Sequence, residues 1–225
     1  LDPIHFGFTQ SLLRYHDLRR RFPDIDLLMG TGNLTELTDA DTTGINAVLM
    51  GIVSELAIRN VLVVQVSAHN SRAVAETDIA RRIMHAAKTD GGLPQDYDGG
   101  LMGLRDRKPF PNSAAEVAEM AEAVRDANFR VEVAADGVHV FNRATHCVAT
   151  DPFDHWPGLA LQDDGAHAFY MGVETARAQI AWQLGKRYVQ DRELDWGVAV
   201  ERAAEDLSGY SAEKSTKAER KGRKP

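Results

Sequence analysis

Three short stretches of the chain carry side chains suited to holding a polar or charged small molecule. They are Asp2-Pro3, Gly30-Thr31-Gly32-Asn33 and Ser67-Ala68-His69-Asn70-Ser71-Arg72. The carboxylate of Asp2 is a two-oxygen acceptor, the partner an amino-pyrimidine edge requires. Asn33, next to Gly32, offers a donor and an acceptor together and so can read a ring nitrogen or a ring carbonyl. Ser67, His69, Ser71 and Arg72 fall where a helix should begin, and a helix N-terminus favours an anion. Ser67, Asn70 and Ser71 would add neutral donors there. Arg72 would add a fixed charge with a planar fork for phosphate oxygens. His69 would add a second charge only while protonated.

Each of these residues has a plainer reading. Asp2 can be a turn residue before Pro3. Gly30-Thr31-Gly32 can be a structural turn, because a glycine pair alone specifies little. Asn33 can cap the next segment, and Ser71 can be an N-cap with nothing bound and Arg72 in solvent.

The elements around the three stretches decide whether they can meet. Residues 1–3, 25–30 and 61–67 read as the ends or bodies of three strands. Between them lie helical patterns over residues 10–21 and over Ile45, Val48, Leu49, Ile52 and Leu56, the last with the i, i+3, i+4, i+7 spacing of an apolar face. A further helix is expected from the third stretch to about residue 87. Val61 to Val66 is apolar on both alternations, which predicts a parallel strand covered on both faces. Strands alternating with helices predict a parallel sheet or barrel. In such folds ligands gather beyond the C-terminal ends of the strands, where all three stretches fall.

The rest of the chain reads differently. Residues 88–112, rich in Gly, Pro and Asp, predict an irregular connection. Ser113 with Glu116 predicts a capping box. Asp136-Gly137 between two apolar runs predicts a β-hairpin. After a loop of Asp, His and Pro, a helix is expected with Phe169, Val173, Ala176, Ile180 and Leu184 on its apolar face and Gly185 as its cap. His146, Asp151, Asp154, His155, Asp163, Asp164 and His167 are a metal candidate by residue type, but lack tight ligand spacing; solvated acidic loops are the alternative, and no metal site is assigned. Residues 211–225 are Lys/Arg-rich without apolar anchors and read as a disordered, solvated basic tail.

Composition bounds the function class. The 225 residues are 44% hydrophobic and 26% charged, ordinary for a globular protein, with a net charge of −7 that argues against nucleic acid as a partner. One cysteine, Cys147, excludes an intrachain disulfide and suggests a reducing, cytoplasmic location. No apolar run approaches the ~18 residues of a membrane span. The opening Leu1-Asp2-Pro3-Ile4 reads as the end of a strand, so the chain is expected to begin partway through its fold and to be inactive alone.

At these residues the chain resembles a known family. LDPIHFGFT is similar to the Asp-Pro-Gly-x-Gly-Phe segment on the sixth strand of dihydropteroate synthases, DLLMGTGNLTE to their seventh strand, and VLVVQVSAHNSRAVAETDIARRI to their eighth strand and last barrel helix. Closer still is the similarity to dihydropteroate-synthase-related proteins of methanogens and methylotrophs, linked with tetrahydromethanopterin biosynthesis. It rests on residues 30–42, 105–111 (RDRKPFP) and 167–172 (HAFYMG) and covers nearly the whole chain before the tail. The resemblance implies an α/β fold, the C-terminal βα units of a TIM-like (β/α)8 barrel over residues 1–90, followed by an α+β extension over 91–210. It implies a pterin substrate held by Asp2, Gly32 and Asn33, with the diphosphate at Ser67, His69, Asn70 and Arg72. The activity implied is transfer of a pterin-methyl group from its diphosphate to an arylamine. No covalently bound cofactor is implied. A Mg2+ ion travelling with the diphosphate and a homodimeric state both stay open.

The resemblance has gaps. The synthases have Gly after Asp-Pro where this chain has Ile4, and a Ser-Arg-Lys where it has Gly32-Asn33-Leu34, so the pterin-contacting lysine is missing. Their Arg-x-His aligns with Gln65-Val66-Ser67, leaving His69 and Arg72 as the substitutes. Gly32-Asn33 is also similar to the Asn-bearing segment of pterin domains in corrinoid-dependent methyltransferases. A methylpterin-binding domain and a non-catalytic pterin-binding subunit therefore stand as alternatives.

Overall fold

The computed structural model describes residues 1–201. The expected basic tail at 211–225 lies outside the described residues. The chain is α/β, and its two sheets are small. Helix α1 (Phe8–Arg21) leads to strand β1 (Leu28–Gly30), the single turn α2 (Gly32–Thr35) and helix α3 (Thr42–Glu55). Strand β2 (Asn60–Leu62), a 3-10 turn at Ala68–Asn70 and helix α4 (Ala73–Asp90) follow. β1 and β2 pair in parallel, with Met29 opposite Val61, as βα alternation requires. Residues 1–3 form no strand, but the Leu1 amino group donates to the Gly30 carbonyl oxygen at 2.9 Å, so the chain start lies beside β1.

The described residues thus hold two parallel strands of three residues each, not a closed barrel, which takes a full ring of staggered strands. Burial corrects one expectation here. The Val61–Val66 stretch is strand only as far as Leu62 and is not covered on both faces: Leu62 is 57% exposed and Val66 is 83% exposed. Within the described chain α3 and α4 pack against each other, and Met29 of β1 and Val61 of β2 join their core. The α3 stripe is also rotated from the expected one. Val48 is exposed, while Asn46, Leu49, Met50 and Val53 face the core with Leu27, Met29, Leu34, Ile58 and Ala80.

After an irregular stretch, helix α5 (Ala114–Ala123) opens on the expected capping box. The Glu116 N–H donates to Ser113 Oγ at 3.3 Å, and the Ser113 N–H donates to Glu116 Oε2 at 2.7 Å. Strands β3 (Arg130–Ala134) and β4 (Gly137–Phe141) form the expected hairpin. Gly137 has φ of 146°, and a Cβ there would stand 3.1 Å from the Ala149 carbonyl oxygen, so the turn tolerates little else. A third strand, β5 (His146–Ala149), and helix α6 (Pro152–Leu159) occupy what reads in sequence as a loop. Helix α7 (Gly165–Leu184) covers the β3–β4–β5 sheet and ends at Gly185 in the left-handed conformation.

The apolar face expected for α7 is on the wrong side. Phe169 is 76% exposed and Ile180 is 40% exposed, while Met171, Glu174, Thr175, Ala178 and Ala181 are buried. The small Ala178 and Ala181 let the helix lie close on the sheet. Glu174 is matched internally: it accepts from Tyr188 Oη at 2.5 Å, from Arg177 Nη1 at 2.8 Å and from the Asp191 N–H at 3.2 Å. A paired carboxylate is tolerated inside, and the larger apolar side chains are left outside.

Candidate functional site

The C-terminal ends of β1 and β2 do come together with the chain start. Leu1, Gly30, Gly32, Asn33, Glu36, Leu37, Leu62 and Val64 line a cleft of about 340 Å³. Gly32 is required by close approach. A Cβ there would stand 2.5 Å from Val64 Cγ2, so any larger residue would push the two strand ends apart. Asn33 Nδ2 donates to the Leu1 carbonyl oxygen at 2.9 Å, which leaves its Oδ1 as an acceptor. Asp2 is directed elsewhere. Its Oδ2 accepts from Ser11 Oγ at 2.6 Å and from Arg14 Nη2, and Ser11 and then Arg14 hold its carboxyl below the usual range. Asp2 is therefore anchored to α1, one residue from the cleft-lining Leu1.

The third stretch is already engaged by protein groups. Glu36, one turn beyond Asn33, places its carboxylate on the amides that follow β2. Oε1 accepts from the Val66 N–H at 2.7 Å and from Asn70 Nδ2, and Oε2 accepts from the Ser67 N–H at 2.9 Å. Hydrogen bonds from Ser67, then Asn70, with the two backbone amides, lower the Glu36 carboxyl to about 2. An internal carboxylate thus occupies donors that an outside anion would need. His69 Nε2 lies 3.0 Å from the Thr35 carbonyl oxygen. Arg72 Nε donates to the Val198 oxygen at 3.1 Å and Nη2 to the Val200 oxygen at 3.3 Å, tying the strand-end rim to the far end of the described chain.

No family model matches the chain, and no solved structure matches it. It is similar to an uncharacterized protein of Methanocaldococcus jannaschii, MJ0107, with 28% identity over 218 residues, which is 86% of this chain and 41% of that relative. The chain therefore spans about two-fifths of the length of the relative it matches.

The acidic, histidine-bearing segment is dispersed among structural tasks. Asp151 caps α6 by accepting from the Phe153 N–H at 2.9 Å, and Asp164 caps α7 by accepting from the His167 N–H at 3.0 Å. His139 bridges Asp136 and His146, at 3.0 Å to each. Among the described residues no group of three or more His, Cys, Asp or Glu is arranged to hold a metal ion. No helix among them is long and apolar enough to cross a membrane.

Sequence reasoning missed Glu36, because nothing in its neighbourhood marks a glutamate that will bond thirty residues away. It also missed Lys186. That side chain is fully buried, donates to the Gly103 oxygen at 2.8 Å and lies 5.3 Å from the Trp196 ring centroid. Helix α6 did carry a signal: Asp151-Pro152 is an N-cap followed by proline at the first helical position.

Proposed function

We propose that this chain is part of a pterin-binding, dihydropteroate-synthase-like protein of folate or tetrahydromethanopterin biosynthesis, acting in the cytoplasm. On this reading β1 and β2 are the last strands of a (β/α)8 barrel, and the complete protein joins an arylamine nitrogen to the pterin methylene carbon. The carbon–oxygen bond to the diphosphate breaks, the diphosphate leaves with the electron pair, and the arylamine nitrogen gives up one proton to solvent. The observation that carries the reading is the cleft at the ends of two parallel strands, where Gly32, Asn33 and the chain start meet. Asn33 Oδ1 would accept from a ring N–H there. Asp2 turns its Oδ2 to Ser11 and Arg14 of α1 and does not line the cleft, so Asn33 carries the ring contact.

A specific observation favours a second reading. Glu36 sits on the Val66 and Ser67 amides, where the resemblance would place the diphosphate. That arrangement suits a protein that holds the pterin ring without its diphosphate, either a methyltransferase-type pterin domain or a non-catalytic subunit.

Titration calorimetry with 6-hydroxymethyl-7,8-dihydropterin and with its diphosphate tests both. The transferase reading expects the diphosphate to add affinity, whereas the second expects equal binding of the two ligands. In either case Asn33→Ala weakens binding by about ten- to hundredfold, the effect of one unpaired buried polar partner. Binding of neither ligand by the intact protein would remove the pterin reading.

A further inference from the structure

A second cavity, of about 670 Å³, lies where the first turns of α3 and α4 face residues 101–105 of the extension. It shares no lining residue with the cleft beside Asn33. Its volume falls within the range of small-molecule sites. Its far wall is fixed in place: the Gly103 oxygen accepts from buried Lys186, and the Gly100 oxygen accepts from the Val198 N–H at 2.7 Å.

The lining carries unmet polar capacity of two kinds. Thr42 is only 2% exposed, yet its hydroxyl has no hydrogen-bond partner among the described residues. Glu76 is 5% exposed; its Oε2 accepts from Asn46 Nδ2 at 2.8 Å, and its Oε1 has no partner among the described residues. A carboxylate oxygen and a hydroxyl that open on the same cavity call for a ligand that donates. Arg105 lines the same cavity and has no ion pair or hydrogen bond among the described residues, so it calls for an anion. Leu101 adds apolar surface. In charge the lining is balanced: Arg72 and Arg105 stand against Asp41 and Glu76. A simple anion would answer Arg105 and meet repulsion from Glu76. A simple amine would do the reverse.

We propose that this cavity binds a small zwitterion, an amino acid whose amino group is received by Glu76 and Thr42 and whose carboxylate is received by Arg105. The Leu101 surface favours an apolar side chain on that amino acid. The cavity lies apart from the cleft beside Asn33, but His69 and Arg72, to which the resemblance gives the diphosphate, line part of it, so the probes used below carry no phosphate.

The test uses L-leucine as probe, with 4-methylpentanoate and 3-methylbutylamine as the same skeleton lacking one charged end. Titration calorimetry on the intact protein should give saturable binding of L-leucine that is tighter than either half-ligand. Arg105→Ala, at an exposed position that should leave folding intact, weakens L-leucine and 4-methylpentanoate by about tenfold or more and leaves the amine unchanged. Glu76→Gln weakens L-leucine and the amine and leaves the acid unchanged, and a melting curve reports whether this buried substitution keeps the fold. No saturable binding of L-leucine overturns the proposal. So does equal binding of inorganic phosphate, which would make the cavity a plain anion site, or an Arg105→Ala variant that binds L-leucine as the parent does.

Discussion

The guanidinium Nε of Arg72 donates to the carbonyl oxygen of Val198 at 3.1 Å, across 126 positions of sequence. A residue whose type and position suit phosphate is thereby also a fastener between the β1–β2 unit and the extension. Each charge-assisted bond to an otherwise unpaired carbonyl is worth about 1.5–3 kcal/mol at most, and partial exposure reduces that. Arg72→Ala is expected to cost about 1–3 kcal/mol in urea unfolding. Amide exchange at residues 198–200 should rise in the same variant, while Arg72→Lys restores part of the stability.

Glu36 gives the rim an acid-sensitive lock. Its carboxyl is lowered from 4.5 to about 2 by Ser67, Asn70 and the backbone amides, so the folded state favours the ionised form. The stabilisation is complete above the unfolded-state value near 4.5 and is lost as pH falls from there toward 2. The melting temperature of Glu36→Gln should lie below that of the parent at pH 7, and the gap should close progressively below pH 4.5. A gap independent of pH would mean that Glu36 acts through packing alone.

His155 should produce a slope at a different pH. It is 1% exposed, and neither ring nitrogen has a hydrogen-bond partner among the described residues. Burial is the main cause that pushes its pKa below 6.5, opposed by the Ala149 backbone, which is near the ring but outside hydrogen-bonding geometry, and by Asp154. The unfolded chain then binds a proton that the folded one refuses, so stability falls as pH drops below 6.5. His146 contributes a slope of the same sign through burial and through His139. His155→Leu is expected to match or exceed the parent's stability at pH 7 and to flatten, though not abolish, the loss of melting temperature between pH 7 and 5.

Lys186 should resist replacement more than its charge suggests. Its ammonium is fully buried, satisfies the Gly103 oxygen and lies 3.8 Å from Asp106 Oδ2. Lys186→Met keeps the volume but orphans that carbonyl, at a cost of about 1–3 kcal/mol measured by chemical denaturation. Because Gly103 lines the second cavity, the same variant should also weaken L-leucine binding.

The features legible in the sequence are those set by neighbours a few residues away. The Ser113–Glu116 capping box, the Asp136-Gly137 turn, the left-handed Gly185 and the parallel pairing of β1 with β2 each follow from short-range sterics, hydrogen bonding or βα alternation. The meeting of Gly32 and Asn33 with the chain start followed from the rule that strand ends share a rim. What periodicity left undecided was which side of a helix faces inward, since a pattern fixes the width of a stripe and not the surface that covers it. α7 therefore buries Glu174 and exposes Phe169, because Tyr188, Arg177 and Asp191 are there to satisfy the carboxylate. Likewise Glu36 on the Ser67 amide, Arg72 on Val198, and Thr42, Glu76 and Arg105 around one cavity join residues tens of positions apart. Such partners are chosen when the packed backbone brings an unpaired donor to an unpaired acceptor, and only the tertiary structure makes that choice.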